Sequence, residues 1–151
     1  MKFYAAYGSN LSSKQMKDRC PKSVYVGAGV IENHRLVFWT HATIEPAAGY
    51  VTPVGVYKLN EEDEKTLDTR EGINVIPPYY LKENIDVKME SGETINCIVY
   101  IKRKFCRRDY PNLPEDDYYK KIKKGYKEKD LDTKLLKEAY DYTEKLVSKA
   151  K

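Results

Sequence analysis

No stretch of this sequence approaches the run of ~20 apolar residues that a membrane-spanning helix requires. Cysteine is scarce, with only Cys20, Cys97 and Cys106, an odd number at wide and irregular spacing. There is no CxxC pair, and the two histidines, His34 and His41, lack zinc-finger spacing, so neither a disulfide framework nor a zinc finger is expected. Cys97 falls in an apolar, strand-like run and reads as core packing; no pattern marks a cysteine nucleophile. Repeats and low-complexity linkers are absent too. Lys2 is followed by only a short apolar stretch, Phe3 to Tyr7, and then by polar residues and a basic segment, which is not how a signal peptide reads. The expectation is a cytoplasmic protein without a membrane partner.

What is present describes a globular chain. Its 151 residues are 41% hydrophobic and 33% charged, enough for one domain over 1–151 that buries a core without staples. The net charge of +4 is unevenly spread. Lys102 to Lys129 holds eleven Lys or Arg against five Asp or Glu. Such a segment suits nucleic acid or an anionic surface, but a solvated helix face is the simpler reading.

The first half reads as strands punctuated by turns. Lys2–Tyr7 is an opening strand that stops at Gly8-Ser9-Asn10, all turn-forming types. Ser12 and Gln15 have capping-box spacing for a short helix that Pro21 closes. Val24–Ile31 and Arg35–Trp39 are expected to pair across a Glu32–His34 turn, and Val54–Leu59 is a further strand. Asn60 is a helix N-cap with Glu61, Glu62 and Asp63 in the first turn, where the dipole favours acids, and Gly72 ends this helix. Tyr79–Met89 alternates, with Tyr79, Leu81, Ile85, Val87 and Met89 on one face. Ser91-Gly92 then turns the chain into Thr94–Ile101. The last third is helical, starting at Pro114 and again at Asp132. Leu135, Leu136, Ala139, Tyr140, Thr143, Leu146 and Val147 form one stripe of the final helix, read as core. Strands first and helices last indicate an α+β domain.

Two places invite chemistry. Tyr7-Gly8-Ser9-Asn10-Leu11 lies between a strand and a helix start. Glycine there admits a ligand to the backbone, and successive N–H groups make an anion cradle. The same spacing suits an ordinary strand-to-helix turn. Glu71 lies in the last turn of the Asn60–Arg70 helix, facing the negative end of the dipole. That position raises a carboxylate pKa slightly; burial would raise it further, and Arg70 would lower it if it folded back. A carboxylate pushed toward neutrality suits general acid/base work. On position alone, a solvated acid is the simpler reading.

Taken in order, these segments resemble the γ-glutamylcyclotransferase-like family. Phe3-Tyr4-Ala5-Ala6-Tyr7-Gly8-Ser9-Asn10-Leu11 is similar to its signature loop, and Asn33-His34-Arg35-Leu36-Val37-Phe38 to the strand that follows. Ala42-Thr43-Ile44-Glu45-Pro46 through Val54-Gly55-Val56-Tyr57-Lys58-Leu59 resembles its next stretch. Leu67-Asp68-Thr69-Arg70-Glu71-Gly72 matches its catalytic-glutamate motif, and Pro114-Glu115-Asp116-Asp117-Tyr118, with Ile122 and Gly125, resembles its closing helix. The chain departs from the pattern at Pro53-Val54, where many relatives carry tryptophan before the Gly-Val, and at Ile76-Pro77-Pro78.

The resemblance implies a small, partly closed mixed β-barrel with flanking helices. It implies an enzyme that cyclises a γ-glutamyl compound to 5-oxoproline and releases an amine, with no metal or cofactor. By this resemblance Glu71 is the acid/base, and backbone groups of Tyr7, Gly8, Ser9 and Asn10 hold the substrate by its carboxylate or its oxyanion. Tyr118 supplies a hydroxyl to the pocket, as does Tyr79 or Tyr80; the alternation selects Tyr79. The alternative is a non-catalytic ligand- or RNA-binding protein on the same fold. Fourteen tyrosines suit a homodimer face as well as a core.

Overall fold

Among the described residues five strands form one sheet, because five apolar, β-branched or aromatic runs find partners in it. The computed structural model describes residues 2–102 and 111–150. Strand β1 (Lys2–Ala6) pairs antiparallel with β3 (His41–Leu59), and β3 with β2 (Val24–Trp39). Strand β2 pairs with β4 (Tyr80–Met89), and β4 with β5 (Thr94–Lys102). A parallel bridge from Tyr4 to Ile98 joins β5 to β1 and closes a mixed barrel in the order β1-β3-β2-β4-β5. Leu11, Ile31, Phe38, Ile44, Val54, Leu59, Val87 and Val99 are essentially without solvent exposure and belong to one core.

Among the described residues four α-helices flank the barrel: α1 (Ser13–Arg19), α2 (Glu61–Arg70), α3 (Asp116–Glu128) and α4 (Thr133–Ala150). Their starts follow the local capping chemistry. Ser12 Oγ accepts the Gln15 N–H at 3.3 Å, and Asn60 Oδ1 accepts the Asp63 N–H at 2.8 Å. Helix α2 ends in a Schellman arrangement: Gly72 sits at φ 66° and bonds to Thr69, while Ile73 N–H reaches Asp68 O. Helix α4 buries Leu136, Ala139 and Thr143 from its expected stripe, and Thr143 Oγ1 accepts the Phe38 N–H at 3.1 Å.

Two expectations need correction. Val24–Ile31 and Arg35–Trp39 do not pair with each other across Glu32–His34; they are one strand, and both halves bond to the 19-residue β3. At the intended turn the register merely slips. Asn33 adopts φ 57°, a conformation that asparagine tolerates better than most residues, and its Oδ1 takes the Gly49 N–H at 3.1 Å. A bulge therefore replaced the turn, and the chain reverses instead at Thr40, between Trp39 and His41. The alternation of β4 also fails at its start. Val87 and Met89 are buried, but Leu81 is 43% exposed and Tyr79 58%. Only Met89 and Lys88 pair with β2, so the beginning of β4 has a neighbour on one side alone, β5.

Cys20 and Cys97 are both buried, and burial pushes each thiol up to about 11. Such thiols pack and do not attack. Cys106, with the 103–110 part of the basic segment, lies outside the described residues. Within α3, Lys120, Lys123, Lys124 and Lys127 are exposed. No helix among the described residues is long and apolar enough to cross a membrane.

Candidate active site

At one end of the barrel a cavity of about 530 Å³ opens between the residues that follow β1, the end of α2, the β2–β3 turn and the first turns of α1 and α3. Every residue singled out from the sequence lines it: Tyr7, Gly8, Ser9, Asn10, Glu71, Tyr79 and Tyr118.

The Gly8–Asn10 segment is held from several directions. Ser9–Leu11 forms a single 3₁₀ turn, with Leu11 N–H bonded to Gly8 O and Ser12 N–H to Ser9 O. The N–H groups of Gly8, Ser9 and Asn10 have no acceptor among the described residues. Asn10 is buried; its Nδ2 donates to Tyr4 Oη at 3.0 Å, and its Oδ1 accepts from Gln15 Nε2 at 2.9 Å and Arg19 at 3.0 Å. Gln15 Nε2 also donates to Ser9 Oγ at 2.7 Å, so this side chain fixes the loop instead of completing a capping box at Ser12. From the other side, α3 presents Gly125 to the same backbone. A Cβ there would stand 2.6 Å from Leu11 Cβ and 2.9 Å from the Leu11 carbonyl carbon. Only glycine lets the helix approach so closely.

Glu71 caps the C-terminus of α2, its N–H bonded to Leu67 O at 2.9 Å. Its carboxylate makes no hydrogen bond among the described residues. Burial lifts it to about 7, and the nearby Arg19 guanidinium only partly opposes that rise. Burial is thus the cause of the rise, and Arg19, on a different helix, is the cation that acts on it. Arg70 stays exposed.

Tyrosines supply most of the remaining wall. Tyr7 Oη donates to Tyr100 O, and Tyr100 Oη donates to Asp68 Oδ1 at 2.6 Å. Tyr118 Oη accepts the Ala42 N–H at 3.0 Å, and burial raises this phenol to about 12. Burial holds Tyr4, Tyr7 and Tyr100 above the usual phenol range, followed by the Glu71 charge for Tyr4, by Tyr80 for Tyr7 and by the Asp68 carboxylate for Tyr100, so all of them are neutral hydroxyls near pH 7. Tyr79 and Tyr80 both line the cavity. Tyr80 is the more enclosed and donates to Ala42 O at 3.3 Å, whereas Tyr79 lies over Gly72 with most of its ring in solvent.

The sequence reading did not find Tyr4, Gln15, Arg19, His41, Arg70, Tyr100, Lys102 or Lys121, which line the same cavity. Tyr4 and Tyr100 read as ordinary strand residues, and Lys102 reads as the first residue of the basic segment. Only the strand order 1-3-2-4-5, which sets β5 against β1, brings them together. Among the described residues no three His, Cys, Asp or Glu side chains gather where a metal ion would be held.

Comparisons with known proteins place this geometry. A family model described as gamma-glutamyl cyclotransferase, AIG2-like, matches residues 4–121. A gamma-glutamylcyclotransferase of Bos taurus is 28% identical over 131 residues, covering 79% of this chain and 66% of that protein. The Homo sapiens gamma-glutamylcyclotransferase is 27% identical with the same coverage. The chain thus spans just under two thirds of the length of these relatives. Among solved structures, one described as gamma-glutamyl cyclotransferase superposes with a TM-score of 0.79 at 25% identity, over 96% of this chain and 85% of that one. A human structure described as uncharacterized protein loc79017 superposes at 0.77 with 26% identity and the same coverage. With a match over so much of its length, and the same barrel, this chain belongs to the gamma-glutamyl cyclotransferase, AIG2-like family.

Proposed function

We propose that this chain is a cyclotransferase that converts a γ-glutamyl amide into 5-oxoproline and a free amine, with Glu71 as its proton carrier. The observation that supports this most is the pairing, in one cavity, of a half-buried carboxylate lifted to about 7 with a loop whose Gly8, Ser9 and Asn10 N–H groups have no acceptor among the described residues.

The chemistry needs little else. The substrate carries its own nucleophile, an α-amine five-ring distance from the side-chain carbonyl. Holding that curled conformer supplies effective molarities on the order of 10⁵ M or more. The amine is an ammonium at neutral pH, and Glu71, about half ionised there, takes its proton. As the tetrahedral adduct collapses, Glu71 returns a proton to the departing nitrogen. One carboxylate working in turn as base and acid contributes about 10²–10⁴-fold. The N–H groups of Gly8, Ser9 and Asn10 hold the substrate carboxylate or the developing oxyanion. Tyr118, fixed by the Ala42 N–H, lines the cavity and orients the bound molecule.

The test is 5-oxoproline release from γ-glutamyl-alanine, γ-glutamyl-lysine and glutathione, with the Glu71→Gln protein alongside. Release from at least one substrate by the native chain, and a loss of more than about tenfold in the variant, is expected. Retention of activity by the variant removes Glu71 from the mechanism; silence on every substrate removes the reading.

A further inference from the structure

A second cavity, of about 180 Å³, lies between the long β2–β3 arm and helices α3 and α4, and it shares no lining residue with the first. That volume falls below the range of about 300–1,000 Å³ that drug-sized ligands occupy, so it suits a small molecule. Part of its wall is apolar, from Leu36, Pro53 and Leu135. Arg35 of β2, Tyr126 of α3 and Glu138 of α4 line it as well.

The protein itself matches none of these three groups. Arg35 Cζ lies 4.1 Å from the centre of the Tyr50 ring and 3.3 Å from that of the Tyr142 ring. Ring faces attract the cation, but they do not replace the hydrogen bonds that its N–H groups make in water. Arg35 Nε is buried without a partner, and among the described residues no carboxylate pairs with the guanidinium. Glu45, opposite Arg35 in the β2–β3 register, accepts from Tyr142 Oη at 3.5 Å. Tyr126 has no exposed surface, and burial holds its phenol above the usual range, so it is a neutral O–H donor. Its Oη also has no partner among the described residues. A buried donor left unpaired is unfavourable, and two of them on one cavity mark where an acceptor belongs. Glu138 is exposed beside them and pairs with no cation among the described residues.

We propose that this cavity is a second binding site, which takes a small α-amino acid as its zwitterion. The ligand carboxylate accepts from Arg35 and from the Tyr126 hydroxyl, its ammonium faces Glu138, and its side chain rests on Leu36, Pro53 and Leu135. Arginine suits the first role because its planar fork meets both oxygens of a carboxylate. A simple anion leaves Glu138 unmatched and is repelled by it, and a simple amine leaves the two donors without an acceptor. The site is independent of the chemistry at Glu71.

The experiment is an amide-resolved NMR titration of the full chain with L-alanine, and then with acetate and ethylamine, which carry its two charges separately. L-alanine is expected to shift the amides of Gly49, Val51 and Ala139, which line the cavity, with a Kd of about 1–10 mM. Acetate and ethylamine should each bind at least about tenfold more weakly. Arg35→Lys keeps the charge and loses the fork, and should weaken L-alanine at least about tenfold. Glu138→Gln, a surface change that leaves folding intact, should bring L-alanine down to the level of acetate. The absence of shifts at these three amides up to about 50 mM L-alanine overturns the proposal. So do shifts confined to Gly8 and Ser9, which put the ligand in the first cavity. Acetate that binds as tightly as L-alanine overturns it too. So does an affinity that Glu138→Gln leaves unchanged, whether or not the Arg35→Lys protein folds.

Discussion

Helix α2 carries two glutamates on one side, seven residues apart, that end in opposite electrostatic states. Around Glu64, burial works against ionisation, yet hydrogen bonds from Lys82 and Lys2 hold the carboxyl below its usual range. Lys82 serves Asp68 as well, at 3.1 Å. Burial weighs far more heavily on Glu71, and among the described residues no hydrogen bond reaches its carboxylate; Arg19 acts on it only through its charge, and its pKa rises to about 7. Both are glutamates on one helix. What separates them is the depth of burial, and that β4 sends the Lys82 side chain to the middle of α2 while Tyr79, just before β4, lies over Gly72 at its end. An ion-paired carboxylate is fixed as an anion and holds structure together, whereas an enclosed, unpaired one is free to exchange a proton near neutrality.

The largest expected effect breaks the contrast at Glu71. In the native chain kcat/KM should climb with pH through a midpoint near 7, as the carboxylate becomes a base. Glu71→Gln should remove both the slope and at least about 10² of the rate, measured as 5-oxoproline release across pH 5–9. Stability should move the other way. Because the folded-state pKa lies above the ordinary value of 4.5, the native chain binds the extra proton when folded, and it loses stability as pH rises through about 7. The Gln variant escapes that loss, so at pH 8 it should match the native protein or exceed it by up to roughly 3 kcal/mol in denaturant melts. The gap should close toward pH 4.5.

Removing the cation from the other end sharpens the comparison. Lys82→Met leaves Glu64 and Asp68 without their shared partner and should cost about 1–2 kcal/mol in thermal unfolding, the pair being only partly enclosed. Tyr118→Phe, in the wall facing Glu71, should raise KM roughly three- to tenfold with kcat little changed, the pattern of lost uniform binding. The smallest effect is expected for Glu64→Gln: less than about 1 kcal/mol of stability and unaltered turnover. If that variant instead matched Glu71→Gln in lost rate, the division of α2 into a structural and a chemical carboxylate would fail.

Much of the molecule was legible wherever a group and its partner lie close in sequence. Asn60 and Asp63, Ser12 and Gln15, and the Gly72 cap sit within a few residues of their partners, so local chemistry specifies them. Glu71 and the Tyr7–Asn10 loop were legible as candidates for the same reason, one by its place at a helix end and the other by its turn residues. The length of β2 was not legible. Asn33 looked like a turn because it tolerates a left-handed conformation, and nothing local reveals that β3 continues past it to pair with both halves. The choice between Tyr79 and Tyr80 was equally closed to alternation, because which face of β4 is covered depends on where β2 ends.

The order of residues alone determined the helix starts and stops, the inertness of a chain without paired cysteines, and the two segments able to carry chemistry. These follow from hydrogen bonds and periodicities that span only a few residues. Tertiary structure alone decided that Glu71 is taken from water without a hydrogen-bonded cation among the described residues, and that Arg19, His41, Tyr100 and Lys102 surround the same cavity. A carboxylate's proton affinity is set by everything within several ångströms of it, and those neighbours come from β1, β3, β5, α1 and α3, which meet only when the barrel closes.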